Sequence, residues 1–357
     1  MPTHRTTIEN APTRWDATAV RPLPASPRTG SRGRGGVGPA PSARLDLSLE
    51  AQATGASAAG DASVLADIRY GSEHGRPADD PRVLEVGLPP LATPLREVWW
   101  TSAPVRRGWK DDIGFATADG LLFAHVLVEP GWIADPVKST HSAYVRLLDL
   151  ARTLGCPHPL RIWNLLSGIH EDSPVLPRYQ AFCVGRERAL REAGLSPEQF
   201  PAATAVGAGA PGLLVYLLAG SNRGTPVENP RQVSAYRYPS RYGPRPPSFA
   251  RALCYPASAA AHCFVSGTAS VVGHESLYPR ELGPQLDETL ANLDAILDQA
   301  GARNPSLIKV FLRRADHLAE VEGRLGDWVP RGTPILYLLA EVCREELEIE
   351  IECVCGR

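Results

Sequence analysis

From Leu88 onward the chain alternates short apolar runs with amphipathic stretches, and the order of these elements occurs twice. GLLFAHVLV (120–128) reads as a strand, HSAYVRLLDLARTLG (141–155) as a helix ending at Gly, and LRIWNLLSGIH (160–170) as another strand. LPRYQAFCVGRERALREAGL (176–195) is then a helix, and PAATAVGAGAPGLLVYLLAG (201–220) closes the half with strands. In the second half HCFVSGTASVVG (262–273) is a strand, QLDETLANLDAILDQAG (285–301) a helix and LIKVFLRRADHL (307–318) a strand. A shorter helical stretch (319–328) precedes the strands ILYLLAEV (335–342) and EIEIECV (348–354). A repeat of more than 100 residues is a duplicated domain, since solenoid repeats are far shorter.

The helix at 285–301 shows its core face plainly. Leu286, Leu290, Leu293 and Leu297 fall at i, i+4, i+7 and i+11, while Asp287, Glu288, Asp294 and Asp298 face away and Gly301 supplies the stop. Mixed strands with interspersed helices in each half predict an α+β protein whose helices cover one face of each sheet. Residues 1–61, rich in Pro, Gly, Ala, Ser and Arg, show neither a 3.6 nor a 2 period and read as a disordered, dispensable extension. The expected organisation is therefore an extension (1–61), an N-terminal domain (62–225) and a C-terminal domain (226–357).

Lys plus Arg total 37 against 39 Asp plus Glu, so no whole-protein field favours nucleic acid or an anionic membrane, and any anion must be held by a local cluster. No apolar run approaches the roughly 18 residues of a membrane span, and the expected location is cytoplasmic. Seven scattered cysteines without Cys-x-x-Cys spacing point neither to a disulfide scaffold nor to a zinc site, and no metal is expected. The phosphate-cradling loop, the dinucleotide fingerprint and the G-x-S-x-G elbow are missing.

Three features carry chemistry. RYPSRYGPRPPSFARA (237–252), at the joint between the halves, packs four arginines and two tyrosines into a stretch too broken by proline to be a helix. Arg237, Arg241, Arg245 and Arg251, with Tyr236, Tyr238 and Tyr242, form a set suited to gripping a small carboxylate, or else a solvated inter-domain loop. On the helix from 179, Tyr179, Phe182, Cys183, Arg186 and Leu190 share one stripe, so Arg186 faces inward and needs a partner, either an acid of the same chain or a ligand. In ELEIEIECV, period-2 alternation sends Leu347, Ile349, Ile351 and Cys353 one way and Glu346, Glu348, Glu350 and Glu352 the other. Most of that acidic face should be solvated, but a glutamate among like charges or partly buried can act as a general acid. Periodicity does not say which. Ser266-Gly267-Thr268 reads as a turn of small residues, and His170 and His274 as structural.

Taken together, LRIWNLLSGIHED, RYQAFCVGRERAL, ENPRQVSAYRYPSRYGPRPPSFARA, SGTASVVGHES and AEVCREELEIEIE give residues 95–357 a clear resemblance to the chorismatases, which look like two fused RidA-like (YjgF-like) domains. The resemblance implies cleavage of the enol ether of chorismate, a small dianion, with release of pyruvate and no metal or organic cofactor. It implies substrate contacts from Tyr179, Arg186, Tyr238 and Arg251, with Gly267 and Ala269 as small residues of the same site, and it selects Glu350 as the catalytic acid. Cys343, seven residues before Glu350, resembles the family type that aromatises the ring to 3-hydroxybenzoate, the alternative product being a dihydroxycyclohexadiene carboxylate. A RidA-like imine deaminase and a small-acid binding protein are the competing readings. The first is disfavoured by Ile335, which stands where that family carries a substrate-gripping arginine. A monomer whose halves imitate part of a RidA-like ring is expected.

Overall fold

Period-2 patterning reaches further toward the N-terminus than the reading above placed it. In the computed structural model, which describes residues 45–51, 62–129, 131–257, 260–302 and 304–356, the strands β1 (Leu45–Ala51), β2 (Val64–Tyr70), β3 (Val83–Val86) and β4 (Leu95–Thr101) form a sheet in the order β1-β4-β2-β3. β1 lies inside the segment 1–61 expected to be structureless, and its seven residues pair antiparallel with the whole of β4. LDLSLEA alternates in the manner of a strand, but its neighbours are so rich in Gly, Pro and Ala that the signal is diluted in any longer window. The remainder of that segment, 1–44 and 52–61, lies outside the described residues.

Two larger sheets follow. The first takes β5 (Arg106–Lys110), β6 (Ile113–Ala118), β7 (Leu121–Val128), β8 (His158–Ser167), β9 (Ala202–Ala208) and β10 (Leu213–Gly220), with helices α1 (Gly131–Ala134) and α2 (Pro136–Thr153) before β8 and α3 (Arg178–Glu192) after it. The second takes β11 (Thr225–Val227), β12 (Ala252–Ala257) and β13 (Ala260–Thr268), then β16 (Asn304–Leu312), β17 (Ile335–Leu339) and β18 (Ile349–Gly356). Between β13 and β16 come a small ladder, β14 (Val271–Val272) with β15 (Glu275–Ser276), and helix α4 (Leu282–Ala300); α5 (Leu318–Trp328) precedes β17. Strand orders are β5-β6-β7-β10-β8-β9 and β11-β12-β13-β18-β16-β17. Each sheet is antiparallel except for one parallel pair, β8–β9 and β16–β17, joined by the crossovers that a parallel pair requires, α3 and α5. The duplication read from the pattern is thus a duplication of topology. The four-stranded sheet stands outside it, and the matched sheets begin at Arg106 and Thr225.

Packing follows the alternation. One face of the first sheet takes α2 and α3 through Ile162, Leu166, Val215 and Leu217 with Leu147, Phe182 and Leu190. One face of the second takes α4 and α5, to which β18 contributes Ile349, Ile351, Cys353 and Cys355. On α4, Leu286, Leu293 and Leu297 are buried as the stripe predicts, Leu290 is half-buried, and the helix stops at Gly301 with φ +63°. The faces turned away from the helices share a third core with the four-stranded sheet, including Trp99, Trp163, Tyr216, Phe264, Phe311 and Leu338.

That third core overturns the solvated acidic face expected for the C-terminal strand. Glu348, Glu350 and Glu352 are 3%, 5% and 2% exposed. Alternation correctly puts Glu350 and Glu352 opposite the apolar residues, but the first sheet packs over this face, against Glu352 directly, and keeps both carboxyls from bulk water. Among the described residues no helix is long and apolar enough to cross a membrane.

Candidate active site

Between the first sheet and the start of the second lies a cavity of about 550 Å³ whose wall includes Tyr179, Arg186, Tyr238, Arg251, Gly267 and Glu350. Strand β9 forms one side of it. Backbone N–H of Ala203 donates to Ser266 Oγ (2.9 Å), which itself donates to the Ala250 carbonyl (2.6 Å), and Gly267 N–H donates to Thr204 Oγ1 (3.0 Å). Here β13 slips register against β18 between Val265 and Thr268. This bulge carries Ser266 and Gly267, and the missing Cβ of Gly267 leaves the room taken by the Glu350 carboxyl. Helix α4 fixes the next turn: Asn292 Nδ2 donates to the carbonyls of Ala269 (3.0 Å) and Val271 (2.9 Å).

Two glutamates project from the same face of β18 into different surroundings. Glu350 has no hydrogen-bond partner among the described residues and borders the cavity. Burial, and next the charge of Glu352, push its carboxyl up to about 8, while Arg161 and Arg251 pull it down. Glu352 is fully engaged. Oε1 accepts from Trp163 Nε1 (2.7 Å) and faces Lys309 Nζ (2.9 Å), and Oε2 accepts from Arg161 Nη2 and Thr204 Oγ1 (both 2.5 Å). Against the burial that would raise it, Arg161 and then Lys309 hold this carboxyl down to about 2. Lys309 also pairs with the buried Glu97 of β4 (2.9 Å), which accepts from Tyr70 and Trp99 (each 2.7 Å).

The cations nearest the cavity lack such company. Arg186, on the inward stripe of α3, is 2% exposed, sits 4.9 Å above the Phe182 ring beside Tyr144, and has no carboxylate within 4.0 Å among the described residues. Its Nε has no hydrogen-bond partner. Arg251, at the entry to β12, donates to Tyr238 Oη (2.6 Å) and the Val233 carbonyl (3.1 Å), with Nε likewise unpartnered and no ion pair. A buried guanidinium without an ion pair is costly, and an anion entering the cavity would offset that cost.

The proline-broken segment divides its charges. Tyr238, Tyr242, Arg241 and Arg251 border the cavity, although Arg241 is exposed and paired with Glu275 (2.7 Å). Arg237 lies exposed over Tyr236, and Arg245 is an exposed side chain 3.9 Å from Glu187. Of the set expected to grip a carboxylate, those two and Tyr236 are not in the cavity wall. Ala269 and the half-buried Cys343 are; burial, then Glu350, pushes the Cys343 thiol up to about 12, and burial, then Cys343, raises the Tyr179 hydroxyl well above its usual range.

Sequence reasoning missed Arg344, whose guanidinium stacks 4.3 Å from the Tyr242 ring and donates to the His274 carbonyl (3.0 Å) and Ser276 Oγ (2.9 Å) at the cavity wall. It missed Arg161, Thr204, Lys309 and Glu97 altogether. His170, read as structural, borders the cavity with Nε2 3.3 Å from Glu341 Oε2. Among the described residues no three His, Cys, Asp or Glu side chains cluster so as to hold a metal ion.

Fold and site together define an α+β protein built on two matched six-stranded sheets and a smaller third, with an arginine-lined cavity and a buried carboxyl on its wall, a class shaped to receive a small anion. Comparison with known proteins narrows this. Residues 97–219 match the family model described as chorismatase FkbO/Hyg5-like, N-terminal. Over 317 residues the chain is 35% identical to a 3-hydroxybenzoate synthase of Streptomyces hygroscopicus, covering 82% of this chain and 91% of the relative. Over 315 residues it is 32% identical to a chorismatase of the same organism, covering 82% and 89%. A crystal structure of a chorismatase superposes with a TM-score of 0.79 at 31% identity, over 88% of this chain and 98% of the other. The chain belongs to the chorismatase family.

Proposed function

We propose that this protein cleaves the enol ether of chorismate, releasing pyruvate and 3-hydroxybenzoate, with Glu350 as the general acid. The observation that carries the proposal is the Glu350 carboxyl, buried and holding its proton up to about pH 8 in the wall of a cavity that is also lined by Arg186 and Arg251, two buried guanidiniums without an ion pair. Chorismate has one carboxylate on the ring and one on the enolpyruvyl arm, which suits Arg186 and Arg251 approaching from different sides. The mechanism requires the terminal methylene carbon of the arm to lie against Glu350 in that same wall. Proton transfer to that carbon leaves an oxocarbenium ion at the adjacent carbon, beside the newly formed Glu350 carboxylate that stabilises it. General acid help of this kind is commonly worth about 10²- to 10⁴-fold in rate, and orientation and electrostatics supply the rest.

The cation is captured by a neighbouring hydroxyl of the substrate or by water. The adduct collapses to pyruvate and returns a proton to Glu350. In the first case the oxygen of the attacking hydroxyl leaves with pyruvate as its carbonyl oxygen: its bond to the ring breaks as the proton on the adjacent ring carbon is lost, which aromatises the ring. That proton ends on the phenol oxygen, so that 3-hydroxybenzoate plus pyruvate contain all the atoms of chorismate. In the second, one water is consumed and a dihydroxycyclohexadiene carboxylate is released. Cys343, a neutral thiol in the wall beside Tyr179, supports the aromatising course by its resemblance to that type. Ile335 packs under the helices of the second sheet, away from the cavity, which offers nothing to a deaminase reading.

The test is incubation of the protein with chorismate, with pyruvate and the ring product identified by mass and ultraviolet absorption. Pyruvate with 3-hydroxybenzoate is expected. Unchanged chorismate, or full turnover by Glu350→Gln, would overturn the proposal.

A further inference from the structure

We infer that Glu352 is a positioning residue: a negative charge fixed two residues beyond Glu350 on the same strand face, pinned by Arg161, Lys309, Thr204 and Trp163 so that the proton of the pair resides on Glu350. The inference rests on the reading of Glu350 as the acid and says how the fold keeps that acid loaded.

The geometry separates two carboxyls that composition makes equivalent. Glu352 receives four donors, two of them cationic, and Thr204 is itself saturated, donating to Glu352 while accepting from Arg161 Nη2 (2.5 Å) and Gly267 N–H (3.0 Å). Its single hydroxyl proton is thus committed to Glu352, which has no need of one of its own. Charge balance points the same way. Within the buried network Glu97 and Glu352 are offset by Lys309 and Arg161, all of them 0–2% exposed. The network is neutral without Glu350, so ionising Glu350 adds a charge that no member of the network offsets, beside a fixed one.

The other groups around Glu350 do not reverse this. Arg161 from β8 and Arg251 from the entry to β12 oppose protonation, while Tyr179 from α3 and Cys343 from the loop before β18 stay neutral and Arg186 lines the same cavity. A dianion bound at Arg251 neutralises that cation and adds negative charge, which strengthens the hold on the proton when it is needed. Donors to Glu352 come from three strands, β8, β9 and β16, and the chain of ion pairs runs on to β4, so the charge is fixed by the packing of all three sheets.

The test is the pH dependence of kcat/KM for pyruvate release by the full chain. Glu350 must be protonated to act, so lowering its proton affinity moves the alkaline limb downward. For Glu352→Gln that limb is expected to fall by about one unit or more, with roughly tenfold or greater loss at the top of the wild-type range and recovery toward wild-type turnover in mild acid. Glu352→Asp, which keeps the charge, is expected to leave the limb near its wild-type position. A folded Glu352→Gln protein with an unmoved limb overturns the inference, whatever its absolute rate. Should that variant not fold, neutron diffraction on the wild-type protein near neutral pD decides: a deuteron on Glu350 and none on Glu352 is expected, and the reverse overturns the inference. Glu350→Gln run alongside separates the two levels. If it is inactive while the Glu352→Gln limb stays put, only the positioning role is lost; if it turns over normally, the general-acid reading itself fails.

Discussion

Gly267 lies against Glu350 so closely that a Cβ at that position would overlap the carboxyl oxygen Oε1. The bulge in β13 aims the bare backbone of Gly267 at the carboxyl of the neighbouring strand, and the acid occupies the volume that any other residue would fill. Its φ is outside the left-handed region, so alanine there is conformationally tolerated and the clash is local. Gly267→Ala is expected to keep the fold, shown by a thermal midpoint within a few degrees of wild type. It is also expected to lower kcat for pyruvate release by about 10²-fold, the cost of displacing a reacting group by roughly an ångström. A folded variant with unchanged kcat would place the acid elsewhere.

Arg186 and Arg251 are buried without ion-pair partners, and this separates binding from stability. An arginine retained for structure should weaken the fold when removed. One retained for an incoming anion should not. Arg186→Met and Arg251→Met are each expected to raise KM about 10- to 100-fold, the range of a charge-assisted hydrogen bond, and to leave thermal stability unchanged or improved. Calorimetry with a non-reacting dicarboxylate analogue checks the first; scanning fluorimetry checks the second. Wild-type affinity in both variants would assign these arginines to packing.

How much of this was legible in the sequence depended on how local each signal was. The α4 stripe, the inward position of Arg186 and the two faces of β18 follow from periodicity within one element, and the structure has them as read. The four-stranded sheet was not legible, because its first strand, LDLSLEA, is a short alternation amid glycine and proline. Nor could alternation say what covers the glutamate face of β18. That depends on Arg161 and Trp163, nearly two hundred residues earlier in the chain, and on Lys309 and Glu97. The segment 237–252 lacks any period, so no pattern in it told Arg251, which is buried, from Arg237 and Arg245, which are exposed, and only family resemblance picked out Arg251. Glu350 was singled out by family resemblance, and its surroundings supply a physical reason for the choice.

The raised proton affinity of Glu350 predicts a stability cost with a definite sign. Its folded-state pKa of about 8 lies above the ordinary value of 4.5, so its contribution is fully present below 4.5 and is lost as pH rises through 8. Glu350→Gln removes the titration. The thermal midpoint of that variant relative to wild type is therefore expected to climb between pH 5 and 9, by the equivalent of a few kcal/mol on the order-of-magnitude arithmetic of pKa linkage. Wild-type kcat/KM, requiring the protonated acid, is expected to fall about tenfold per unit above pH 8. A difference in midpoint that stays flat across this range would mean the carboxyl ionises inside the fold at little cost, and the proton would not be available near neutrality.

Cys343 borders the cavity near Tyr179 and Glu350, with its thiol held neutral by burial and, once Glu350 ionises at alkaline pH, by that charge as well. A thiol that ionises only near pH 12 is no nucleophile at neutral pH, which leaves it shape and a weak hydrogen bond to offer in the cavity wall. Protonation of the enolpyruvyl arm does not require either. On the proposed mechanism the fate of the cation does, because the adjacent hydroxyl of the substrate competes with water for it, and the shape of the wall bears on which is nearer. Cys343→Ala is expected to retain pyruvate release within about tenfold of wild type, the scale of losing a weak contact and a little packing. The ring product is expected to shift from 3-hydroxybenzoate toward the dihydroxycyclohexadiene carboxylate, read by chromatographic separation of the two acids. Loss of pyruvate release would instead put the thiol in the protonation step, and an unaltered product ratio would leave it a packing residue of the cavity wall.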